Sequence, residues 1–211
     1  MKAILINAPK EISIKEVSNP ERKKNEVIIK VHGMGICGSD IAAYKGINPL
    51  VTYPRIIGHE IAGEVLEVPR GETEMTPGDR VVIEPCVYCG TCYPCMNKRT
   101  NCCENLAVRG VHIDGGMSEF CFHPRPLIHK VPAGVSWKHL AMVEPLTISI
   151  HAVKRARLAK GEHLVVTGAG PIGLLAALYA LVIGAVPMIV DPIDERLAFA
   201  RSLGISHGIN P

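Results

Sequence analysis

Apolar and polar positions alternate in short runs over the first part of the chain. Ala3–Ile6, Ile12–Val17 and Val27–Val31 are rich in Ile and Val, and the turn-forming stretches Asn7-Ala8-Pro9 and Ser18-Asn19-Pro20 separate them. Glu64–Val68 and Arg80–Ile83 continue the pattern around a turn at Thr76-Pro77-Gly78-Asp79. A tight turn at Asp114-Gly115-Gly116, a returning strand Ser118–Phe122 and a last strand Leu127–Val131 before Pro132 complete it. Many short strands with turn signals predict a closed or partly closed β-barrel. The period then changes. LAMVEPLTISIHAVKRA has helical spacing. Glu162–Thr167 predicts a strand, LLAALYALVIGA a helix, Ile189-Val190-Asp191 a second strand, Glu195–Leu203 a second helix capped by Gly204, and Ile205–Ile209 a third strand. Strand–helix alternation of this kind opens a doubly wound parallel sheet. The fold class expected is mixed β and α/β.

One stretch competes with that assignment. Leu164–Val190 carries no charge and is long enough to span a bilayer. Glycines cluster at its start and Pro187 interrupts its end, so a strand, a glycine turn, a helix and a second strand explain it better. With 211 residues, 47% hydrophobic and 20% charged, the chain has enough apolar content for a real core. The net charge of +3 is small, the basic residues are scattered and aromatic residues make up only 4%, so neither nucleic acid nor a membrane surface is an expected partner. The N-terminal MKAILINAPKEIS lacks the long apolar run and cleavage site of a signal peptide. A cytoplasmic location follows as the expectation, and there eight cysteines read as metal ligands sooner than as disulfides.

The cysteines fall in a pattern. In CVYCGTCYPCMNKRTNCC, Cys89, Cys92 and Cys95 stand at three-residue spacing and Cys103 follows. Two-residue gaps turn neighbouring thiolates onto one ion, and four sulfurs complete a tetrahedral zinc site with no open position, which makes it structural. Cys86 and Cys102 are spare, and Cys86 extends the same period and can replace one of the four. A second donor set is dispersed. Gly58-His59-Glu60 joins an imidazole to a carboxylate, Cys37 lies in GMGICGSDIAAY between Gly35 and Gly38, and Glu144 is a carboxylate in an apolar stretch that needs a partner or a metal. His112, His123 and His129 read as structural or solvent-exposed, with His112 the one candidate to face a cleft because it precedes the Asp-Gly-Gly sequence. Gly168-Ala169-Gly170-Pro171-Ile172-Gly173 sits between a predicted strand and a predicted helix, with Asp191 at the distance where a dinucleotide-binding unit places its ribose acid. In such a unit the first glycine turns the chain, the second admits a pyrophosphate, and the third packs helix on strand. Asp191 favours NAD over NADP, and Arg196 is either an adenosine-side contact or a surface helix residue.

The order GICGSD, GHE, PGDRV, Cys-x-x-Cys-x-x-Cys with a fourth Cys, and DGGMSEF resembles the medium-chain zinc-dependent alcohol dehydrogenase family, over nearly the whole chain. The resemblance implies a chaperonin-10-like catalytic domain over residues 1–145, then an incomplete Rossmann NAD-binding domain over 146–211. It implies a catalytic zinc on Cys37 and His59, with Glu144 and Glu60 as carboxylate candidates, and a structural zinc on Cys89, Cys92, Cys95 and Cys103. The alcohol-oxidising branch has Cys where Glu144 stands, whereas a Glu resembles the polyol, threonine and sugar-acid branch, so the substrate expected is a small polyol or sugar acid such as sorbitol, L-idonate or L-galactonate. Ser39 would hydrogen-bond the substrate hydroxyl and carry its proton outward, and Asp40 would orient His59. Ala42 stands where many members carry the outer His of that proton path, which leaves Tyr44 or water for the last step. The family continues for well over a hundred residues more, so the chain resembles its N-terminal part, and the homo-oligomer contact is expected in the remainder. A zinc-binding module without turnover is the competing expectation, and a zinc-free quinone reductase is disfavoured by these ligands.

Overall fold

The computed structural model describes residues 1–19 and 21–211, so Pro20 of the expected Ser18-Asn19-Pro20 turn lies outside the described residues. Contacts divide the chain into two compact units, Met1–Glu144 and Pro145–Pro211. The first opens with a hairpin of β1 (Lys2–Ala8) and β2 (Glu11–Glu16), paired with Ile4 opposite Ile14 and Ile6 opposite Ile12. β3 (Glu26–Met34) leads through a short loop into helix α1 (Gly38–Lys45). Then come β4 (Arg55–Ile56), β5 (Ile61–Glu67) and β6 (Arg80–Ile83), and the turn at residues 76–79 closes with the Asp79 N–H donating to the Thr76 carbonyl. The cysteine lobe follows: β7 (Cys86–Val87), a single helical turn α2 (Tyr93–Met96), a 3-10 turn at Thr100–Cys102, and β8 (Ala107–Val108). β9 (Phe120–Pro124), a 3-10 turn at Arg125–Leu127, β10 (Ile128–Lys130) and α3 (Trp137–Ala141) end the β-rich unit.

These strands form a five-stranded antiparallel sheet in the order β10-β6-β5-β3-β9, a three-stranded sheet β2-β1-β4 and the small β7-β8 pair. A bridge between Ala3 and Ser118 joins the first two, and the Ile4 N–H donates to the Met117 carbonyl at 2.8 Å, so the β structure is partly closed. Val27, Ile29, Ile61, Val65, Met75, Val81, Ile83, Cys121 and Ile128 fill its interior. Inward-facing β-branched residues on alternate strand positions are what the pattern required.

Three expectations shift. β5 begins at Ile61, immediately after Glu60, so His59 and Glu60 sit at its entrance. β9 runs two residues later than Ser118–Phe122. Asp114-Gly115-Gly116 is not a tight turn. It is an extended strip along residues 56–58, where Gly115, Gly116 and Met117 donate their N–H groups to the carbonyls of Ile56, Gly58 and Ile57 at 2.6, 2.9 and 3.0 Å. Glycine is required there for close approach: a Cβ on Gly115 would overlap the Ile57 and Gly58 carbonyls. The actual turn lies upstream, at Gly110, whose φ is +74°.

The unit boundary falls inside α4 (Val143–Arg155). β11 (His163–Thr167), α5 (Pro171–Val182), β12 (Val186–Val190), α6 (Asp194–Ser202) and β13 (His207–Ile209) follow. The three strands are parallel in the order β11-β12-β13. Ala169, Leu174, Ala177, Ile189, Leu197, Ala200 and Ile205 pack between sheet and helices. The uncharged stretch is thus β11, turn, α5 and β12, and no helix among the described residues is long and apolar enough to cross a membrane.

Candidate active site

Cys37 occupies the N-cap of α1, where the last loop residue has extended backbone (φ −80°, ψ 156°). Asp40 in the first helical turn accepts the Cys37 N–H at 2.9 Å and, through its other oxygen, the Gly58 N–H at 3.2 Å. One buried carboxylate therefore ties the cysteine loop to the histidine loop. Gly58 has φ +94°, a conformation that favours glycine, and it turns His59 and Glu60 toward Cys37. The result is a cluster in which the donor atoms of Cys37, His59 and Glu60 all lie within 4.8 Å of one another.

The electrostatics of this cluster are mutual. The His59 imidazole lowers the Cys37 thiol against the opposing effect of burial. Burial pulls His59 down, but Cys37 and then Asp40 outweigh it and raise it. Burial raises Glu60, with His59 opposing. Glu144 in the first turn of α4 is outside the cluster of three, yet it shares the same field: burial raises it, His59 opposes that, and Glu60 adds to it. Two buried polar atoms here have no hydrogen-bond partner, His59 Nδ1 and Ser39 Oγ. His59 Nδ1 faces the Asp40 carboxylate at 4.0 Å, and a thiol, an imidazole and a carboxylate at ligand spacing suit a zinc ion, the donor set S, N, O leaving a position for a further ligand.

The four cysteines of the lobe also converge within 4.8 Å. Sγ of Cys103 lies 3.5 Å from that of Cys89 and 3.8 Å from that of Cys92. Backbone N–H groups of Cys89 and Asn105 point at the Cys103 sulfur (3.3 Å each), and that of Cys92 at the Cys89 sulfur (3.4 Å). Backbone N–H groups of Thr91 and Cys92 bring the Cys89 thiol down to about 5, whereas burial takes Cys95 up to about 12. Four sulfurs this close together fit a closed four-sulfur zinc. Cys86 on β7 and Cys102 stand outside the four, and all eight cysteines are free thiols.

In the second unit Gly168 (φ +95°) turns the chain after β11, and Gly170 caps α5 with Pro171 at its first position. A Cβ on either Gly168 or Gly170 would meet only open space, which leaves the turn accessible to a phosphate. A Cβ on Gly173 would overlap the Gly168 carbonyl, so helix and strand touch there. Ile172 is partly exposed at the start of the helix. Asp191, only 2% exposed, accepts the Ala169 N–H at 2.8 Å, the Ile193 N–H at 2.9 Å and an Arg196 guanidinium N–H at 3.4 Å. The Ala169 and Ile193 N–H groups hold its carboxyl below the usual range. Asp191 thus fastens the glycine turn, and Arg196 is its ion-pair partner.

Other histidines are placed plainly. His112 is exposed and its Nδ1 accepts the Val108 N–H, so it serves its own turn. His129 is exposed. His123 is fully buried between Arg109 and the Glu84 carbonyl. Two residues had no signal in the sequence: Arg109, and Ser149, a buried hydroxyl of α4 within hydrogen-bonding distance of the Pro145 and Ile172 carbonyls. Neither belongs to a motif, and each has a partner well beyond its own turn, Phe122 and His123 for Arg109 and Ile172 for Ser149.

Comparison with known proteins places this geometry. Residues 23–133 match the model of the alcohol dehydrogenase GroES-like domain. The chain is 54% identical over its full length to an uncharacterised zinc-type alcohol dehydrogenase-like protein of Haemophilus influenzae, of which it covers 62%. It is 42% identical, over 93% of its length and 57% of the relative's, to the L-galactonate-5-dehydrogenase of Escherichia coli K12. Among solved structures, an alcohol dehydrogenase of E. coli CFT073 complexed with NADH superimposes with a TM-score of 0.92 at 40% identity, over 99% of this chain and 62% of that one. The chain therefore spans about three fifths of the length of these relatives.

Proposed function

The chain belongs to the zinc-type medium-chain alcohol dehydrogenase family, and from that premise we propose that it carries the metal site of a dehydrogenase that oxidises a secondary alcohol of a polyol or sugar acid with NAD. The observation that carries the proposal is the convergence of the Cys37, His59 and Glu60 donor atoms within 4.8 Å of one another, with His59 Nδ1 facing the Asp40 carboxylate at 4.0 Å. Zinc at this position supplies Lewis acidity toward a substrate hydroxyl, and NAD supplies the hydride acceptor. Cys37 and His59 hold the ion, and Glu60 or Glu144 provides the carboxylate. Asp40 fixes the spacing of the two loops through the Cys37 and Gly58 N–H groups. Ser39, next to Cys37, would accept a hydrogen bond from the substrate hydroxyl and pass its own proton outward as it takes the substrate's. Cys89, Cys92, Cys95 and Cys103 hold a second, structural zinc. In this reading residues 1–145 are the catalytic domain. Residues 146–211 begin the cofactor domain, in which Gly168, Gly170, Pro171 and Ile172 would lie along the pyrophosphate and Gly173 would let α5 pack on β11. The Asp191 charge disfavours a ribose 2′-phosphate, and with Asp191 as its partner Arg196 is the weaker candidate for the adenosine side.

A second reading has its own observation. The chain covers 62% of its relatives, and three parallel strands are present where a whole dinucleotide sheet has six. On that reading it binds zinc without turnover. One experiment separates the two: metal content of the purified chain together with NADH formation from a panel of polyols and sugar acids. Two zincs per chain and NADH formation that Cys37→Ser abolishes support the dehydrogenase. Two zincs without NADH formation support the module, and a single zinc that Cys37→Ser leaves in place removes the proposed active site altogether.

A further inference from the structure

The loop that carries His59 is gripped from two sides. On one side is Asp40, through the Gly58 N–H. On the other is the strip of residues 115–117, hydrogen-bonded to the carbonyls of Ile56, Ile57 and Gly58. Gly110 presses on the same point, since a Cβ there would stand 2.7 Å from the Gly58 nitrogen. At its Met117 end the strip is tied to β1 by the Ile4 N–H, and at its Asp114 end Arg109 ties it to β9. Its Nε donates to His123 Nδ1 at 2.7 Å, one terminal nitrogen donates to the Asp114 carbonyl at 2.9 Å, and the other donates to the Phe122 carbonyl. His123 is fully buried on β9, and its Nε2 in turn lies 2.8 Å from the Glu84 carbonyl. A guanidinium is the one side chain that reaches three acceptors in fixed planar directions.

We infer that Arg109 is a positioning residue for His59: by fastening the Asp114 carbonyl to β9 it holds the 115–117 strip against Ile56–Gly58 and sets where the imidazole stands. The inference rests on the proposed metal role of Cys37 and His59. Without the guanidinium, the Asp114 and Phe122 carbonyls and His123 Nδ1 lose their common donor, and the Asp114 end of the strip loses its attachment to β9. The strip keeps its attachment to β1 through the Ile4 N–H, and the histidine loop is held less closely at ligand spacing.

The test is cobalt titration of the 211-residue chain, followed by the thiolate-to-metal absorption, which differs between a four-sulfur site and a site with one sulfur. Cys37→Ser assigns the one-sulfur signal. Arg109→Met is expected to weaken cobalt binding at the Cys37/His59 site by about 10-fold, the lower end for residues that support a ligand, and to leave the four-cysteine site unchanged. Arg109→Lys, which keeps one donor and the charge, is expected to fall between, and it carries the test if the Met variant does not fold. Arg125→Met, which breaks the ion pairs to Glu72 and Glu74, serves as a control for lowered stability and is expected to leave the one-sulfur site intact. Wild-type cobalt affinity at that site in both Arg109 variants, or equal weakening by Arg125→Met, overturns the inference while the metal site itself stands. A wild-type chain with no one-sulfur signal removes both.

Discussion

Glu60 and Gly35 are a matched pair. The Glu60 carboxylate lies directly over the Gly35 α-carbon, so any Cβ at position 35 would overlap it, and the Gly35 N–H donates to the Glu60 backbone carbonyl at 3.0 Å. Gly35 is therefore space for a carboxylate. Gly35→Ala is expected to push the Glu60 side chain away from Cys37 and His59 and to weaken metal binding there by about 10-fold, as for other changes next to ligands. Metal affinity equal to wild type would show that Glu60 is not needed. The comparison of Glu60→Gln with Glu144→Gln sharpens this. Glu60 is in the three-residue cluster and Glu144 is not, so the Glu60 change is expected to lower resting zinc content more. The reverse order, read by metal analysis of the two variants, would give the carboxylate position to Glu144.

At the scale of elements, β9 depends on one neutral imidazole. Burial first, and then the Arg109 charge, take His123 down to about 3 from 6.5. The folded state thus holds His123 unprotonated where the unfolded chain takes up a proton. That contribution is fully present above pH 6.5 and is lost as pH falls toward 3. Between pH 7.5 and pH 5 it amounts to about 2 kcal/mol of stability, and His123→Gln, which keeps an acceptor for Arg109 but does not titrate, is expected to reduce the pH-dependent change in unfolding free energy, measured by denaturant titration over that range, by this amount. An equal pH slope in both proteins would show that His123 is protonated in the fold. The same region shows what sequence patterns reach. Strand runs, the glycine turn and the clustered cysteines were legible because each is specified by neighbours a few residues away. The Asp114-Gly115-Gly116 strip was misread because its glycines answer to carbonyls of Ile57 and Gly58, far back in the chain. The Arg109–His123 contact was invisible for the same reason: an arginine in a turn has no local feature that names its acceptors. β5 was placed three residues late because the polar pair His59-Glu60 interrupts the apolar alternation at its entrance.

At the scale of the whole molecule, the cysteine lobe and the second unit are held by different physics. Between Cys86 and Val108 the only buried apolar side chains among the described residues are those of Cys95 and Cys103, while Tyr93 and Met96 are 79% and 71% exposed. Two-residue strands and one helical turn cannot by themselves repay the ordering of so many residues. On the proposed reading the fold of the lobe would therefore rest on the four sulfurs and the ion they fit. The Pro145–Pro211 unit has instead a cluster of Ala169, Leu174, Ala177, Ile189, Leu197, Ala200 and Ile205 between parallel strands and helices, and its weak point is elsewhere. Val165 in the middle of β11 is 60% exposed and Ile209 on β13 is 45% exposed, on a type of sheet that is ordinarily covered on both faces. Chelation should thus act on one part only. Hydrogen exchange of the chain with and without a strong zinc chelator is expected to show loss of protection in peptides covering 86–108, with those covering α5 and β12 unchanged. Replacing Cys95 by Ser, which removes one of the two buried sulfurs of the set, is expected to reproduce that pattern without chelator. Protection lost equally in both regions would mean that the lobe and the second unit unfold together, and then the ion would stabilise the chain as a whole and not the loop that binds it.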